Sequence, residues 1–221
     1  MAEIMIDEKI KNAAPKIIIG CIEGEVKVSN SCDELVNLMK EIEIETAQKM
    51  KLEDITKLEN IIAGREAYKA LGKSPSKYRT SSEALLRRII QNKGLYFVNN
   101  VVDINNILSI RTGCSCGSYD LQKIIFPLEF SVGATGETYK GIGKDMINIE
   151  NLPVFKDEEG CFGSPTSDSE RAMVTEKTSK VMICVMSFGG DEENILKEMN
   201  EAKILLEKFA EGKNININII K

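Results

Sequence analysis

Hydrophobic residues recur in two rhythms along the chain, and the change from one to the other falls near its middle. Leu35, Leu38, Met39 and Ile42 fall at helical spacing, and Ser31-Cys32-Asp33-Glu34 before them fits a capping box with Ser31 at the N-cap. A second helix carries Ile55, Leu58, Ile61 and Ile62 and reaches Leu71, where Gly72 and Pro75 stop it. Thr80-Ser81-Ser82-Glu83 is another capping box, opening a helix with Leu85, Leu86, Ile89 and Ile90 that closes near Gly94. Val101, Val102, Ile104, Ile107 and Leu108 approximate helical spacing once more, so Asp103, Asn105 and Asn106 lie on or beside that helix.

Short apolar runs then take over. Strands are predicted over residues 123–130, 152–155, 171–174 and 180–186, separated by glycine- and glutamate-rich turns, and Gly117-Ser118-Tyr119-Asp120 reads as a turn leading into the first of them. A final helix follows Asp191 and buries Ile195, Leu196, Met199, Leu205, Leu206 and Phe209. Residues 214–219 alternate Asn and Ile, the pattern of a half-buried strand. Near the start, residues 17–22 and 25–28 predict a hairpin around Glu23-Gly24. Helices first and strands afterwards imply an α+β fold around a mostly antiparallel sheet. No repeat or long linker divides the 221 residues, so a single domain over 1–221 is expected.

Composition narrows the function classes. With 43% hydrophobic residues the chain can build a core without disulfides or metals. Its start lacks a basic region followed by an apolar one, and its apolar runs fall far short of the roughly 20 residues of a membrane span. Six irregularly spaced cysteines then read as reduced thiols, and a cytoplasmic location with no membrane contact is expected. Histidine is absent, which excludes Ser-His-Asp and Cys-His catalysis and every histidine-containing zinc site. Any hydrolysis must run on carboxylates, hydroxyls, backbone donors or the substrate's own groups.

The net charge of −5 argues against a protein coated in positive charge. Yet Lys73, Lys77, Arg79, Arg87, Arg88 and Lys93 face a single acid, Glu83, within one stretch, whereas residues 153–176 are acidic. A local basic patch on an acidic body suits contact with one nucleic-acid end, and an exposed charged helix face is the alternative. Arg79, Thr80 and Ser82 combine a phosphate-binding side chain with hydroxyls at a helix N-terminus. Asp103, Asn105 and Asn106 could bind a ligand or satisfy local backbone, and Asp120 could cap a turn. Tyr119 could stack on a terminal base or fill the core. Cys114-Ser115-Cys116 lacks the second pair or histidine of a ligand set and reads as packing, so no metal or cofactor is expected. Gly141-Ile142-Gly143-Lys144 lacks the Walker spacing and reads as a turn.

Five ordered segments between residues 78 and 186 resemble the B3/B4 editing domain of the phenylalanyl-tRNA synthetase β subunit, and more closely the free-standing proteins built from it. They are Arg79-Thr80-Ser81-Ser82-Glu83-Ala84-Leu85, Asn100-Val101-Val102-Asp103-Ile104-Asn105-Asn106, Gly117-Ser118-Tyr119-Asp120-Leu121-Gln122-Lys123-Ile124, Ala134-Thr135-Gly136-Glu137 and Asp168-Ser169-Glu170-Arg171, with Thr178 beyond. The resemblance implies a layered β-β-α sandwich and a hydrolase that deacylates mischarged aminoacyl-tRNA in trans, or a non-catalytic RNA- or aminoacyl-ligand-binding module of the same fold. It aligns Glu170 with a family glutamate of the amino-acid pocket, implying a role as catalytic carboxylate or pocket reader. It also groups Asp103, Asn105, Asn106, Gly117, Tyr119 and Asp120 as pocket, and assigns Arg79, Thr80, Ser82, Arg87 and Arg88 to the tRNA acceptor end with its attached amino acid. Synthetase domains carry His-Ala-Phe-Asp where this chain has Gly117-Ser118-Tyr119-Asp120, and free-standing relatives commonly have the glycine. That glycine implies a larger pocket or closer backbone donors.

Overall fold

The computed structural model describes residues 3–221. Strand β1 (Ile4–Ile6) and helix α1 (Glu8–Ala13) are followed by β2 (Ile18–Glu25) and a helical run: α2 (Asp33–Lys49), α3 (Leu52–Ile55), α4 (Glu59–Ala70), α5 (Ser81–Ile90) and α6 (Asn100–Thr112). Next come β3 (Ser115–Asp120), a 3-10 turn (Leu121–Lys123), β4 (Leu128–Val132), the hairpin β5 (Thr138–Lys140) and β6 (Met146–Asn148), β7 (Pro153–Asp157) and β8 (Gly160–Gly163). The chain closes with β9 (Lys180–Ser187), α7 (Glu192–Phe209) and β10 (Lys213–Ile220).

Two four-stranded sheets and a helical layer make the expected α+β, β-β-α arrangement. One sheet has the order β1-β4-β7-β8, with β1 parallel to β4; the other is antiparallel, in the order β10-β2-β9-β3. Side chains alternate across a strand, so β9 sends Val181, Ile183 and Val185 to one core and Met182, Cys184 and Met186 to another. The first core is shared with Leu35, Leu86, Ile104, Ile107 and Met199 of the helices. The second is shared with Phe130, Val154, Phe155 and Phe162 of the other sheet. The β10-β2-β9-β3 sheet is therefore the middle layer.

Several local expectations are corrected. Residues 18–25 form one straight strand and not a hairpin, because β9 and β10 pair with both of its edges. Residues 115–120 form strand β3 and not a turn, since all six pair with β9. Residues 171–174 hold a single bridge, Met173 to Tyr119, in place of a strand. The strand expected over 123–130 begins only at Leu128, after the cis Phe126-Pro127 bond. The second predicted helix is two, α3 and α4, interrupted after Ile55. Neither capping box forms. Ser31 Oγ donates to Asp103 Oδ2 (2.6 Å), and Glu83 is held by arginines, so distant charged or strongly accepting partners outcompete local backbone.

α6 is joined to its surroundings by amides. Asn99 caps it through Val102 N, and Gly113 ends it in the left-handed region, φ 67°. Buried Asn100 donates to Lys27 O (3.0 Å) and Phe209 O (2.9 Å) and accepts from Ser29 N (3.1 Å), linking three segments. Asn100→Ala strands these groups and should lower unfolding free energy by about 2–4 kcal/mol in urea titration.

Candidate functional site

Helix α5 presents a row of arginines because Glu83, in its first turn, is fully buried and needs them. Glu83 accepts from Arg87 Nε at 2.8 Å and from Arg65 Nη1 at 3.0 Å through both oxygens, with Arg79 Nε at 3.8 Å. A buried carboxylate so paired fixes cations that free side-chain rotation would scatter. Arg88, one residue on, donates to the carbonyls of Gly94 and Lys93, and its guanidinium lies 3.9 Å from the centroid of the Tyr96 ring.

These residues form one wall of an open cleft of about 520 Å³. Five cations line it, Arg79, Arg87, Arg88, Lys93 and Lys144, and no carboxylate among the described residues does. The opposite side comes from Asn106 of α6, Cys116 of β3 and Thr166 of the loop after β8. Thr166 Oγ1 is held by Tyr68 Oη at 2.9 Å, and Lys144 Nζ, from the β5–β6 turn, donates to Ser167 Oγ at 3.2 Å. Chemically, the cleft offers fixed positive charge beside neutral hydrogen-bonding groups.

The structure distributes the residues singled out in the sequence over several places. Arg79, Arg87, Arg88 and Asn106 meet in the cleft. Thr80 and Ser82 are buried beneath it, bonded to each other at 3.4 Å, and the amides of Ser81 and Ser82 are taken by Pro165 O and Ser115 Oγ. Asp103 accepts from Ser31 Oγ and Val98 N (3.0 Å), and burial pushes its carboxyl up. Asn105 donates to Cys116 O at 3.3 Å, and its buried Oδ1 has no partner among the described residues. Asp120 accepts from Gln122 N (3.0 Å) and Thr178 Oγ1 (2.8 Å), capping the turn after β3. Glu170 lies outside the cleft lining, 37% exposed and 3.0 Å from Lys140 Nζ.

Gly117 and Tyr119 face the core between the sheets. A Cβ on Gly117 would stand 2.1 Å from Tyr119 Oη, and one on Gly163 2.3 Å from it, so the two glycines leave room for one phenol. The space beside Gly117 is thus filled by Tyr119 and is not an enlargement of the pocket. Tyr119 packs edge-on to Phe155 and Phe162 and donates to Asp168 Oδ1 at 2.9 Å, which also accepts from Ser164 N. Desolvation raises Asp168 to about 7, against the hydrogen bonds of Tyr119 and Ser164. In the sequence Asp168 stood only within the segment Asp168-Ser169-Glu170-Arg171 and Thr166 carried no distinct signal, since their side-chain partners Tyr119 and Tyr68 lie 49 and 98 residues away; Tyr96 stood near Gly94 in a stretch without periodicity.

Cys114 and Cys116 are buried free thiols, Cys114 pushed up to about 12 by desolvation and Cys116 raised likewise, which suppresses thiolate chemistry. Among the described residues no group of three or more Cys, Asp or Glu is placed to hold a metal ion, and no helix is long and apolar enough to cross a membrane.

The layered fold and its cationic cleft define an α+β domain with one positively charged face. The B3/4 domain model matches residues 63–216, more than half of the chain, and the protein belongs to that family. Sixteen chains of solved structures match, among them an N-terminal fragment of the phenylalanyl-tRNA synthetase β subunit from Pyrococcus horikoshii. The likeness to that fragment has 16% identity and a TM-score of 0.48, covering 97% of this chain and 50% of the fragment. No curated protein sequence matches.

Two outcomes follow from the Tyr119–Asp168 pair. Gly117→Ala should destabilise the fold by about 1–3 kcal/mol, and adding Tyr119→Phe should restore part of that in a double-mutant cycle of urea unfolding. The folded chain keeps the Asp168 proton up to about 7, whereas an unfolded aspartate, which titrates near 3.8, has already lost it. The associated stability is complete below the unfolded value and lost as pH rises through about 7. The stability difference between wild type and Asp168→Asn should therefore fall from pH 4 to pH 7.5 and then level off; a flat difference contradicts the assignment.

Proposed function

We propose that the protein hydrolyses the ester of mischarged aminoacyl-tRNA, acting in trans as a deacylase, with the acceptor end in the α5 cleft. The observation that carries this reading is the cleft lining itself: five cations and, among the described residues, no carboxylate, beside the neutral groups of Asn106 and Thr166. Such a surface suits consecutive phosphodiesters on one side and an uncharged ester on the other. Membership of the B3/4 family supports it.

An aminoacyl ester is already activated, so catalysis needs a placed water and stabilisation of the oxyanion. Water attacks the carbonyl carbon, the acyl–oxygen bond breaks, and the departing ribose oxygen takes up the proton. Glu170 is assigned to holding that water or to reading a polar group of the amino acid. It stands four residues beyond the cleft residue Thr166 and pairs with Lys140 of β5, whose hairpin turn carries Lys144 to the cleft. Asn105, with an unmet acceptor and its nitrogen on the carbonyl of Cys116, is assigned to hold a donor of the substrate or a water. Thr80 and Ser82 lie beneath α5, and Asp103, Gly117, Tyr119 and Asp120 are assigned to holding α6 and β3 in place.

A second reading, a binding module without hydrolysis, draws on the position of Glu170 outside the cleft and in an ion pair. A panel of correctly and incorrectly charged tRNAs separates the two. Ester loss on a subset of mischarged tRNAs is the expected result, and binding without ester loss across the panel establishes the module. Glu170→Gln should lower kcat by about 100-fold or more. Arg79→Ala and Arg88→Ala should instead raise KM and reduce the salt slope of binding by about one each.

A further inference from the structure

Most of the molecule's polar clusters are already satisfied internally, but Tyr96 is not explained by packing. It is 67% exposed, and Phe97 and Val98 beside it are 45% and 55% exposed. Large apolar side chains exposed in succession mark a contact surface more often than an accident of folding. Tyr96 also lines the cationic cleft, so whatever touches it also meets Arg79, Arg87 and Lys93.

The ring is held in place and not merely left outside. Arg88 covers one face, 3.9 Å from the centroid, and is itself anchored by the carbonyls of Lys93 and Gly94 on the loop that leads to Tyr96. A guanidinium fixed by two carbonyls and stacked on a phenol forms a pre-ordered platform whose remaining face is open. Pre-ordering lowers the entropy lost on binding. An aromatic ring next to a line of cations fits an unpaired nucleobase whose phosphates run along the cleft, since every base has a π face. A base pair buried in a duplex stack cannot lie on such a ring.

We propose that Tyr96, backed by Arg88, stacks on an unpaired base at the end of a single-stranded polynucleotide held in the α5 cleft. The proposal deepens the reading of that cleft as the seat of a nucleic-acid acceptor end and rests on it. It assigns the partner as a single strand, chosen over an acidic protein by the ring and over a duplex by the need for an unstacked base.

The probe is a six-nucleotide RNA ending in 2-aminopurine, titrated into the full-length protein. Stacking quenches its fluorescence on binding. Tyr96→Ala should abolish the quench and weaken binding about tenfold, while Tyr96→Phe keeps both. A blunt RNA duplex carrying an internal 2-aminopurine should bind without additional quenching. Tyr96→Ala equal to wild type in quench and affinity overturns the proposal. So does Tyr96→Phe failing along with Tyr96→Ala, or a glutamate hexapeptide binding as tightly as the RNA. Deacylation is scored separately: quenching with no ester loss on the charged-tRNA panel keeps the platform and removes the hydrolase, and ester loss without quenching does the reverse.

Discussion

The β10-β2-β9-β3 sheet is buried on both faces, against helices on one side and a second sheet on the other, and both outer layers depend on it for their cores. Its side chains alternate between two apolar clusters, and each polar group that enters either cluster has to be met there. Polar chemistry is pushed to the margin. β3 is an edge strand of this sheet, and the cleft lies beside it, where α5, the β5–β6 turn and the loop after β8 converge. The layer architecture thereby fixes where a ligand can be received.

Electrostatics then decide what the margin attracts. A chain of net charge −5 presents a cleft whose charged lining residues are all cations, and one carboxylate, Glu83, is buried underneath and shared among three arginines. The carboxylate is hidden and the guanidinium edges remain, so the cluster of one acid and three arginines keeps a net positive charge directed outward. On the far side of β3, the Tyr119–Asp168 pair closes the inter-sheet core, and the two small residues Gly117 and Gly163 are what permit the phenol to reach the carboxylate. The two polar centres differ in setting, one lining an open cleft and the other sealing the core.

Much of this was legible in the sequence. The spacing of Leu35, Leu38 and Met39, the apolar run of β9 and the Asn–Ile alternation of β10 each report the local face a core requires, and periodicity carries that information directly. The concentration of Arg79, Arg87 and Arg88 was equally visible, since all three lie within ten residues and reach one surface from α5 and the residue just before its N-cap. Strand β3 was not legible. Ser-Cys-Gly-Ser-Tyr-Asp has turn composition, and its extended form comes from six pairs with β9, a partner some 65 residues away. The capping boxes failed because side chains offered stronger partners than the local backbone: Ser31 pairs with Asp103, far along the chain, and Glu83 with Arg65 and with Arg79 and Arg87 four residues to either side.

By itself the sequence determined the classes of element, the existence of a core, the basic stretch and the exclusion of histidine chemistry, because each follows from residue type and near-neighbour spacing. Tertiary structure alone decided which polar residues line the cleft. Asp103, Asn105, Gly117, Tyr119 and Asp120 lie close in sequence, yet the alternation of β3 and the turn of α6 send them to different layers and different partners. Asn106, Thr166, Lys144 and Tyr96, distant in sequence, meet in one cleft. Side-chain direction across a buried sheet is set by long-range pairing, and no local pattern encodes it.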